Sequence, residues 1–383
     1  MKRSRDRILT THTGSLPRPV DLVQLMFAKE EDQPVDAAAL DDRVRAAVRE
    51  VVAQQATAGV DVVNDGEASK PSYATYVKDR LTGFGGDSHP LQYADLVDFP
   101  ELARRVFQDP GRSRRRTPAC DGPIAVRDAE AVRRDVDNLR AALETAPHED
   151  AFLSAASPGV ISLFFKNTYY PSHEAYLFAI ADAMRHEYQA IARAGFVLQV
   201  DCPDLAMGRH IQFADASLEE FRQNARLHVE ALNHALAGID PDQARIHVCW
   251  GNYEGPHHYD VALGEIIDIV LGVQANGLSV EAANPRHEHE WVLFEEVRLP
   301  EGKVLIPGVV DSTTNYIEHP DLVAQRVARL ARLVGRENVI AGTDCGFGTW
   351  VGMARVDPQV VWAKLGALAE GARRASAQLW RGG

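Results

Sequence analysis

Along the chain, short apolar runs rich in β-branched residues alternate with longer stretches in which apolar residues recur every three or four positions. The short runs are residues 7–13, 60–65, 151–156, 196–201, 245–250, 277–282, 304–311 and 338–344. The longer stretches are residues 38–57, 129–145, 173–194, 217–237, 259–275, 320–335 and 358–378. Such alternation is typical of parallel βαβ units. Eight units predict an α/β protein with a (β/α)8 barrel of the TIM type.

Glycines mark the predicted ends of several helices. Gly59, Gly195 and Gly335 each stand between a helical stretch and the next strand, as expected of a helix C-cap before a short loop. A doubly wound sheet is the structural alternative to the barrel. No Gly-x-Gly-x-x-Gly sequence follows any predicted strand, so a dinucleotide-binding sheet is disfavoured.

The alternation is interrupted at about residues 73–124. This stretch contains Gly83-Phe84-Gly85-Gly86, several prolines and the basic run Arg112-Ser113-Arg114-Arg115-Arg116. We interpret it as an excursion after the second strand, within a single barrel domain of residues 1–383. Excursions at that point lie at the carboxyl-terminal face of a barrel, where active sites form. We expect the arginine run itself to be a solvated loop in preference to an anion site.

The composition fits a globular protein and argues against several classes of function. The chain has 383 residues, of which 45% are hydrophobic and 25% charged, so wholesale disorder is excluded. Its 41 Lys and Arg against 54 Asp and Glu give a net charge of −13, which disfavours nucleic acid or an anionic membrane as partner. No apolar run approaches the roughly 18 residues of a membrane span.

The four cysteines are too sparse for a disulfide scaffold. The amino-terminal residues are basic, but no apolar stretch follows them, so we expect no secretory signal. We therefore expect a cytoplasmic protein with reduced thiols. Each thiol is a candidate ligand or nucleophile, although a free cysteine is more often simply buried.

Polar residues stand at the ends of three predicted strands. His247 and Cys249 lie two apart at the end of the fifth, so their side chains point to the same face. Glu281 ends the next strand, and Cys345 follows the last. Two thiols, an imidazole and a carboxylate form a tetrahedral zinc set. The residues alone leave two interpretations open: a Zn²⁺ site at the strand ends, or half-buried core residues without a metal.

The order of these motifs resembles the C-terminal catalytic barrel of the cobalamin-independent methionine synthases and their shorter single-barrel relatives. The resemblance covers residues 10 to about 348, nearly the whole chain. The family's zinc ligands, a His-x-Cys pair, a strand-end Glu and the Cys of Asp-Cys-Gly, match His247, Cys249, Glu281 and Cys345. The resemblance implies Zn²⁺ as cofactor and transfer of an alkyl group to a metal-held thiolate.

Three further segments resemble the substrate pocket of that family. The segment Thr13-Gly14-Ser15 is by itself ordinary turn sequence whose N–H groups suit an anion, and its family counterpart holds the carboxylate of homocysteine. Glu67 and Asp201 match the two family carboxylates that hold the amino group. Without the resemblance, a solvated loop and a helix N-cap explain them equally well. The resemblance implies a pocket for a zwitterionic thiol amino acid.

The chain departs from the family where a proton donor is expected. The long synthases carry a histidine after Gly-Val-Tyr-Asp, whereas Thr313 stands at that place, and threonine does not donate a proton at neutral pH. The N-terminal half of the long synthases, which helps to hold polyglutamated folate, has no counterpart in this sequence. Tyr253, His257 and His287 are the candidates for the missing acid. Loop polarity without a catalytic role is the alternative explanation for them.

We expect a zinc-dependent thiol S-methyltransferase that makes methionine from homocysteine, with methyl-folate or a simpler methyl carrier as donor. The alternative is an enzyme of the epoxyalkane:coenzyme M transferase type, in which a small thiol opens an epoxide. Paired carboxylates favour homocysteine, whereas arginines in the pocket would favour a sulfonate.

Two other hypotheses are a non-catalytic barrel with a structural zinc and a cofactor-free decarboxylase resembling uroporphyrinogen decarboxylase. Four metal ligands at strand ends argue against the decarboxylase. The expected partners are small molecules, with no nucleic acid and no membrane. A homo-oligomer is compatible with the sequence, which does not determine the oligomeric state.

Overall fold

A computed structural model of the chain describes residues 1–88, 91–353 and 355–380. Residues 89 and 90 of the predicted excursion, and residues 354 and 381–383 of the predicted domain, lie outside this description. The strands are β1 (Leu9–Thr10), β2 (Val62–Val63), β3 (Phe84–Ser88), β4 (Pro118–Cys120), β5 (Asp150–Ala156), β6 (Val197–Asp201), β7 (Ala244–Val248), β8 (Gly277–Val280), β9 (Val304–Val310) and β10 (Ile340–Thr343).

The helices alternate with these strands along most of the chain. They are α1 (Val20–Glu30), α2 (Ala37–Ala58), α3 (Val77–Arg80), α4 (Ala94–Val97), α5 (Pro100–Phe107), α6 (Pro110–Arg114), α7 (Glu130–Leu143), α8 (Pro158–Phe164), α9 (His173–Arg193), α10 (Gly208–Ile211), α11 (Leu218–Leu236), α12 (Ile267–Leu271), α13 (Pro320–Val334) and α14 (Pro358–Leu379). None of the helices in the described ranges is both long and apolar enough to cross a lipid bilayer.

Eight strands form one sheet in the order β1-β10-β9-β8-β7-β6-β5-β2, and every neighbouring pair is parallel. The two end strands approach each other through Asp61, whose carboxylate accepts hydrogen bonds from the Thr10 N–H (2.9 Å) and hydroxyl (3.0 Å). The Asp61 N–H in turn donates to the Thr10 carbonyl (3.2 Å). The sheet is therefore a nearly closed parallel barrel, and the predicted TIM-type α/β fold is confirmed.

The barrel strands are buried on both faces, as parallel strands between a filled interior and outer helices must be. The interior also holds a polar layer. The guanidinium of Arg245 lies 3.6 Å from the ring centroid of Phe152 and donates to Gln199 and to the hydroxyl of Thr11. The Gln199 amide also donates to Asp201 (2.8 Å). This layer fixes the orientation of the Asp201 carboxylate at the end of β6.

One predicted helix is much shorter than its sequence pattern suggested. The pattern predicted helix over residues 259–275, but only Ile267–Leu271 and a single 3-10 turn, Leu263–Glu265, are helical. The indole N–H of Trp250 donates to the Val261 carbonyl (2.6 Å), and the Leu263 N–H donates to the carboxylate of Glu290 (2.6 Å). These bonds hold the chain extended, so tertiary contacts override the helical pattern.

The chain between β2 and β5 carries α3, β3, α4, α5, α6, β4 and α7. Strands β3 and β4 pair antiparallel, outside the eight-stranded sheet. Helix α6 packs closely on the loop that follows β10: an added Cβ at Gly111 would lie 2.2 Å from the Val351 carbonyl. The Trp350 indole also donates to Asp109, the N-cap of α6 (2.9 Å). This part of the chain therefore reaches the carboxyl-terminal face of the barrel.

Candidate active site

Three ligand-type side chains converge where β7 and β10 end. His247 belongs to β7, Cys249 follows β7 by one residue, and Cys345 follows β10 by two. One ligand atom of each residue lies within 4.8 Å of the others, and all three side chains are buried. The strands are parallel, so their carboxyl ends meet at the same face of the barrel. The predicted convergence of distant strand ends therefore occurs for these three residues.

The geometry of the three residues suits a tetrahedral metal ion. The two sulfurs are 3.7 Å apart, too far for a disulfide but close to the separation of about 3.8 Å between two sulfurs bound at 2.3 Å to a tetrahedral zinc. Nε2 of His247 is buried without a hydrogen-bond partner in the described residues, while Nδ1 contacts the Ser279 hydroxyl at 3.1 Å. A metal-bound histidine commonly uses its second nitrogen in this way. The donor set fits zinc.

The two thiols are electrostatically unequal. Their mutual contact is the largest cause that lowers the pKa of Cys345 to about 6 and raises the pKa of Cys249 well above its ordinary value. The Gly251 N–H donates to the Cys249 sulfur (3.2 Å), and this bond opposes the rise in the pKa of Cys249.

Glu281 is buried beside these residues but is not one of the three that converge. Its carboxylate accepts hydrogen bonds from the Trp250 N–H (2.9 Å), the Asn284 amide (2.7 Å) and the Arg286 guanidinium (2.6 Å). Burial favours the protonated acid, but the charge of Arg286 leads the effects that hold the pKa of Glu281 below its ordinary value. A role for Glu281 as fourth metal ligand stays a prediction.

A cavity opens directly over His247, Cys249 and Cys345, which we call the metal-ligand triad. Of the predicted site residues, Thr13, Ser15, Glu67, Asp201, His247, Cys249, Tyr253 and Cys345 line it. Gly14, His257, Glu281 and His287 do not. The cavity wall is completed by residues that were not predicted: Tyr73, Tyr93, Arg112, Arg115, Phe164, Pro203, Met207, Gly251, Asn252, Gly346, Thr349 and Trp350.

Two carboxylates face this cavity. One oxygen of Glu67 accepts from the Ser154 hydroxyl (2.9 Å), and the other is buried without a partner in the described residues. Burial, together with the negative charge of Glu67, raises the pKa of Asp201 to about 8. Two buried acids with an unsatisfied oxygen make a site that favours a cation. The grouping of Glu67 with Asp201 agrees with the predicted amino-group pocket.

Gly14 and Gly346 make room for this arrangement. Gly14 has φ +142°, and a Cβ there would lie 2.6 Å from a Glu67 oxygen. A Cβ at Gly346 would lie 2.0 Å from the Ser15 hydroxyl oxygen. Gly14 therefore contributes space for the Glu67 carboxylate, and Gly346 lets Ser15 lie against the Cys345 loop.

The predicted acid candidates occupy two different surroundings. Tyr253 lines the cavity and donates its hydroxyl to Asp95, and burial together with this bond raises the pKa of Tyr253 well above its ordinary value. His257 and His287 instead bind Asp260, at 3.1 Å each. Burial opposes the charge of His287, but its bonds to Asp260 and Glu290 raise its pKa to about 9. Their roles as general acids stay predictions.

The arginine run differs from the expected solvated loop. Arg114 and Arg116 are exposed, as expected, but Arg112 is buried and Arg115 half-buried, and both line the cavity. The expectation was therefore wrong for these two residues. Their guanidinium groups pack against aromatic rings supplied by distant parts of the chain. The only local signal was the density of aromatic and arginine residues in the excursion.

Comparison with known proteins agrees with this architecture. A methionine synthase of Saccharolobus solfataricus is 23% identical to this chain, and the match covers 98% of this chain and 96% of the relative. A 2-hydroxypropyl-CoM lyase of Xanthobacter autotrophicus is 24% identical over 97% and 96% of the two chains. The structure of a B12-independent methionine synthase from Shewanella sp. W3-18-1, in complex with selenomethionine, superposes with a TM-score of 0.75 at 21% identity, covering 97% of this chain and 99% of that one.

Residues 167–363, just over half of the chain, match the family model described as "Cobalamin-independent synthase, Catalytic domain". The matched range contains the metal-ligand triad and Asp201. The chain therefore belongs to the family of the cobalamin-independent synthase catalytic domain.

Proposed function

We propose that this protein is a single-domain methyltransferase that moves a methyl group to the thiol of homocysteine. The observation that carries the proposal is that one cavity is bordered both by the His247, Cys249 and Cys345 triad and by two buried carboxylates, Glu67 and Asp201. A methionine synthase that is related over nearly the full length of both chains supports the same substrate.

His247, Cys249 and Cys345 would hold one zinc ion, with Glu281 as an exchangeable fourth ligand. Bound zinc would keep a substrate thiol in the thiolate form, the nucleophilic form, at neutral pH. Trp250, Asn284 and Arg286 supply hydrogen bonds that would stabilise the Glu281 carboxylate when the substrate thiol displaces it from the metal. That leaves a coordination position for the substrate, as catalytic zinc sites require.

The protein's own groups would orient the amino acid around that thiol. Glu67 and Asp201 would bind the ammonium group, since the free Glu67 oxygen and the Asp201 carboxylate both face the cavity. Ser15, next to the Cys345 loop, would bind the carboxylate. Orientation of both groups fixes the sulfur in line with the donor's methyl carbon.

In the transfer step, a sulfur–methyl bond forms while the bond from methyl to the donor's leaving atom breaks. The leaving atom keeps the electron pair and must gain a proton. Tyr253 is the acid candidate that reaches the cavity, and we propose it as the donor of that proton. Its raised pKa makes it a weak acid, so a poor leaving group such as a folate nitrogen would depart slowly.

A second candidate function is alkylation of a small thiol such as coenzyme M by an epoxide. The relative named 2-hydroxypropyl-CoM lyase matches nearly the full length of both chains and favours this candidate. Ring opening leaves an alkoxide, which is a far stronger base than a phenolate. An alkoxide takes up a proton readily, and Tyr253 is the acid candidate that lines the cavity.

The two candidates are separated by one set of assays. Zinc-loaded protein is incubated with homocysteine or coenzyme M, each against methyl-folate and epoxypropane, and the alkylated thiols are quantified by mass spectrometry. We expect methyl transfer to homocysteine, absent from Cys345→Ser. Transfer only from epoxypropane to coenzyme M would select the second candidate, and no transfer from any pair would overturn both.

A further inference from the structure

Two arginines on the cavity wall have no role in the proposed transfer. Arg112 belongs to α6 and is 8% exposed, and Arg115 follows α6 and is half-buried. The Arg112 guanidinium carbon lies 4.5 Å from the ring centroid of Trp350 and 5.2 Å from that of Tyr93. That of Arg115 lies 4.9 Å from the Phe164 ring. Stacking on rings orients a guanidinium while leaving its N–H edge free to donate.

Two other arginines of the same short run provide a contrast. Arg114 pairs with Glu31 (2.7 Å) and Arg116 pairs with Asp32 (2.9 Å), both at the exposed surface. In the described part of the chain, no carboxylate lies within ion-pair distance of Arg112 or Arg115. Arg112 donates to the Tyr93 hydroxyl (3.1 Å), and its Nε is buried without a partner.

An unpaired buried cation is costly, and two neighbouring cations repel each other. The charge of Arg112 is among the causes that lower the pKa of Arg115, after burial itself. Both arginines also lower the pKa of the Tyr93 hydroxyl against the effect of its burial. An anion bound between the two guanidiniums would relieve this repulsion, and a planar or tetrahedral oxyanion would accept several hydrogen bonds from them.

We infer that Arg112 and Arg115 form an oxyanion-binding site, which recognises a carboxylate or sulfonate carried by one of the two substrates of this cavity. The inference rests on the proposed function in placing a thiol and an alkyl donor here. The inference adds a second point at which a substrate is recognised. Glu67 and Asp201 bind a cationic group, and Arg112 and Arg115 bind an anionic group.

The test measures binding, so that it does not depend on turnover. Zinc-loaded protein and its Arg112→Gln, Arg115→Gln, Arg114→Gln and Arg116→Gln variants are titrated calorimetrically with three oxyanionic ligands: homocysteine, coenzyme M and methyl-folate. Two ligands without an oxyanion, 3-aminopropanethiol and 2-mercaptoethanol, are titrated in parallel. Melting temperatures of all variants establish that each is folded.

We expect Arg112→Gln and Arg115→Gln to lower the affinity for one oxyanionic ligand by about 10- to 100-fold, the usual effect of losing hydrogen bonds to a charged group. The ligands without an oxyanion should bind unchanged, and Arg114→Gln and Arg116→Gln should behave as the wild type. The ligand affected identifies the source: coenzyme M or homocysteine for the thiol, methyl-folate for the donor.

Equal affinity of wild type and both variants for all three oxyanionic ligands would overturn the inference, as would a wild type that binds none of them. Failure of the proposed function gives a different result. Suppose that the wild type transfers no alkyl group, yet the Arg112 or Arg115 variant binds an oxyanionic ligand more weakly than the wild type does. That result would support the oxyanion site and contradict the proposed reaction.

Discussion

The cavity is bordered by two regions that are held in place differently. The metal-ligand side is part of the barrel: parallel register places Asp201 next to His247, and His247 next to Ser279. The arginine side is carried by α6, which is outside the sheet and is fixed by contacts with Trp350 and Tyr93. Hydrogen-bonded register determines the first set of positions, and side-chain packing determines the second.

The two regions also contribute different kinds of residue to the cavity. The barrel side provides the soft ligands and the paired carboxylates, which must be placed precisely for the chemistry. The arginine side provides cationic and aromatic side chains, and substitutions among them would leave the sheet unaltered. We infer that the barrel side determines the reaction type and the binding of an ammonium group, and that the segment between β2 and β5 adds the recognition of an oxyanion.

The strongest way to break the barrel side is to remove a metal ligand. Cys345→Ser and His247→Ala should each lose most of the roughly one zinc expected per chain, because three protein ligands are needed to hold the ion. Transfer activity should fall to background. Metal analysis of purified protein checks this. Cys202→Ser is the control, since Cys202 is equally buried but outside the triad. Full zinc content in both triad variants would contradict the assignment.

Replacing one of the paired carboxylates should weaken ligand binding strongly without removing the metal. Asp201→Asn should weaken methionine binding by about 10- to 100-fold, because a charge-assisted hydrogen bond to the ammonium group is lost. Zinc content should be nearly unchanged. Calorimetry with methionine, which has no free thiol, isolates the amino-acid contacts. Equal affinity for methionine in variant and wild type would rule out the ammonium role.

The same residue should impose a pH dependence on binding. Burial and Glu67 raise the pKa of Asp201 to about 8, so below that pH the free protein carries this carboxyl mainly protonated. Methionine affinity should therefore rise with pH, by up to about tenfold per unit, and level off above pH 8. The rise should be absent in Asp201→Asn. Affinity that is flat from pH 6 to 8 in the wild type would show that Asp201 is already ionised.

The positions that were predictable follow from local pattern. A spacing of two on a strand places His247 and Cys249 on one face. Asp201 also ends an apolar strand and lines the cavity, but its place in the pocket was predicted from the family resemblance. The eight strands are predictable from local pattern, since each is a short apolar run followed by a turn.

The arginine side could not be predicted in this way. Arg112 stacks on Trp350, 238 positions later in the sequence, and no periodicity links the two residues. A run of arginines on an acidic chain looks solvated until its contacts are known. The helix expected over residues 259–275 failed for a related reason: its carbonyls and N–H groups bind Trp250 and Glu290, which lie outside the window that a helical pattern uses.

A smaller effect is expected from crowding the Glu67 carboxylate. Gly14→Ala places a Cβ 2.6 Å from Glu67 and forces alanine to φ +142°, so it should lower the free energy of unfolding by about 1–3 kcal/mol and weaken methionine binding several-fold. Gly238→Ala is the matched control, because Gly238 has φ +85° but no atom within 4 Å of an added Cβ. It should cost about 1 kcal/mol and leave binding unchanged. Similar binding losses in both variants would contradict the role of Gly14.

The smallest expected effect concerns the donor. Thr313→His introduces a histidine where the resemblance to the long synthases implies one, and it should raise methyl-folate turnover if the missing acid limits the rate. Thr313 donates its hydroxyl to Asp311 and does not line the cavity, so we expect a gain of about tenfold at most, below the usual range for a general acid. Steady-state assays with methyl-folate check this, with epoxypropane as the comparison donor. Brisk folate turnover by the unmodified protein would show that no acid is missing.

The most direct test of the account is the coordination of the metal before and after the thiol binds. X-ray absorption at the zinc edge should show two sulfurs and one nitrogen from Cys249, Cys345 and His247, with an oxygen in the fourth position. Addition of homocysteine should raise the count to three sulfurs at about 2.3 Å and remove the oxygen. A sulfur count that stays at two with saturating homocysteine would contradict the claim that this cavity activates a thiol on the metal.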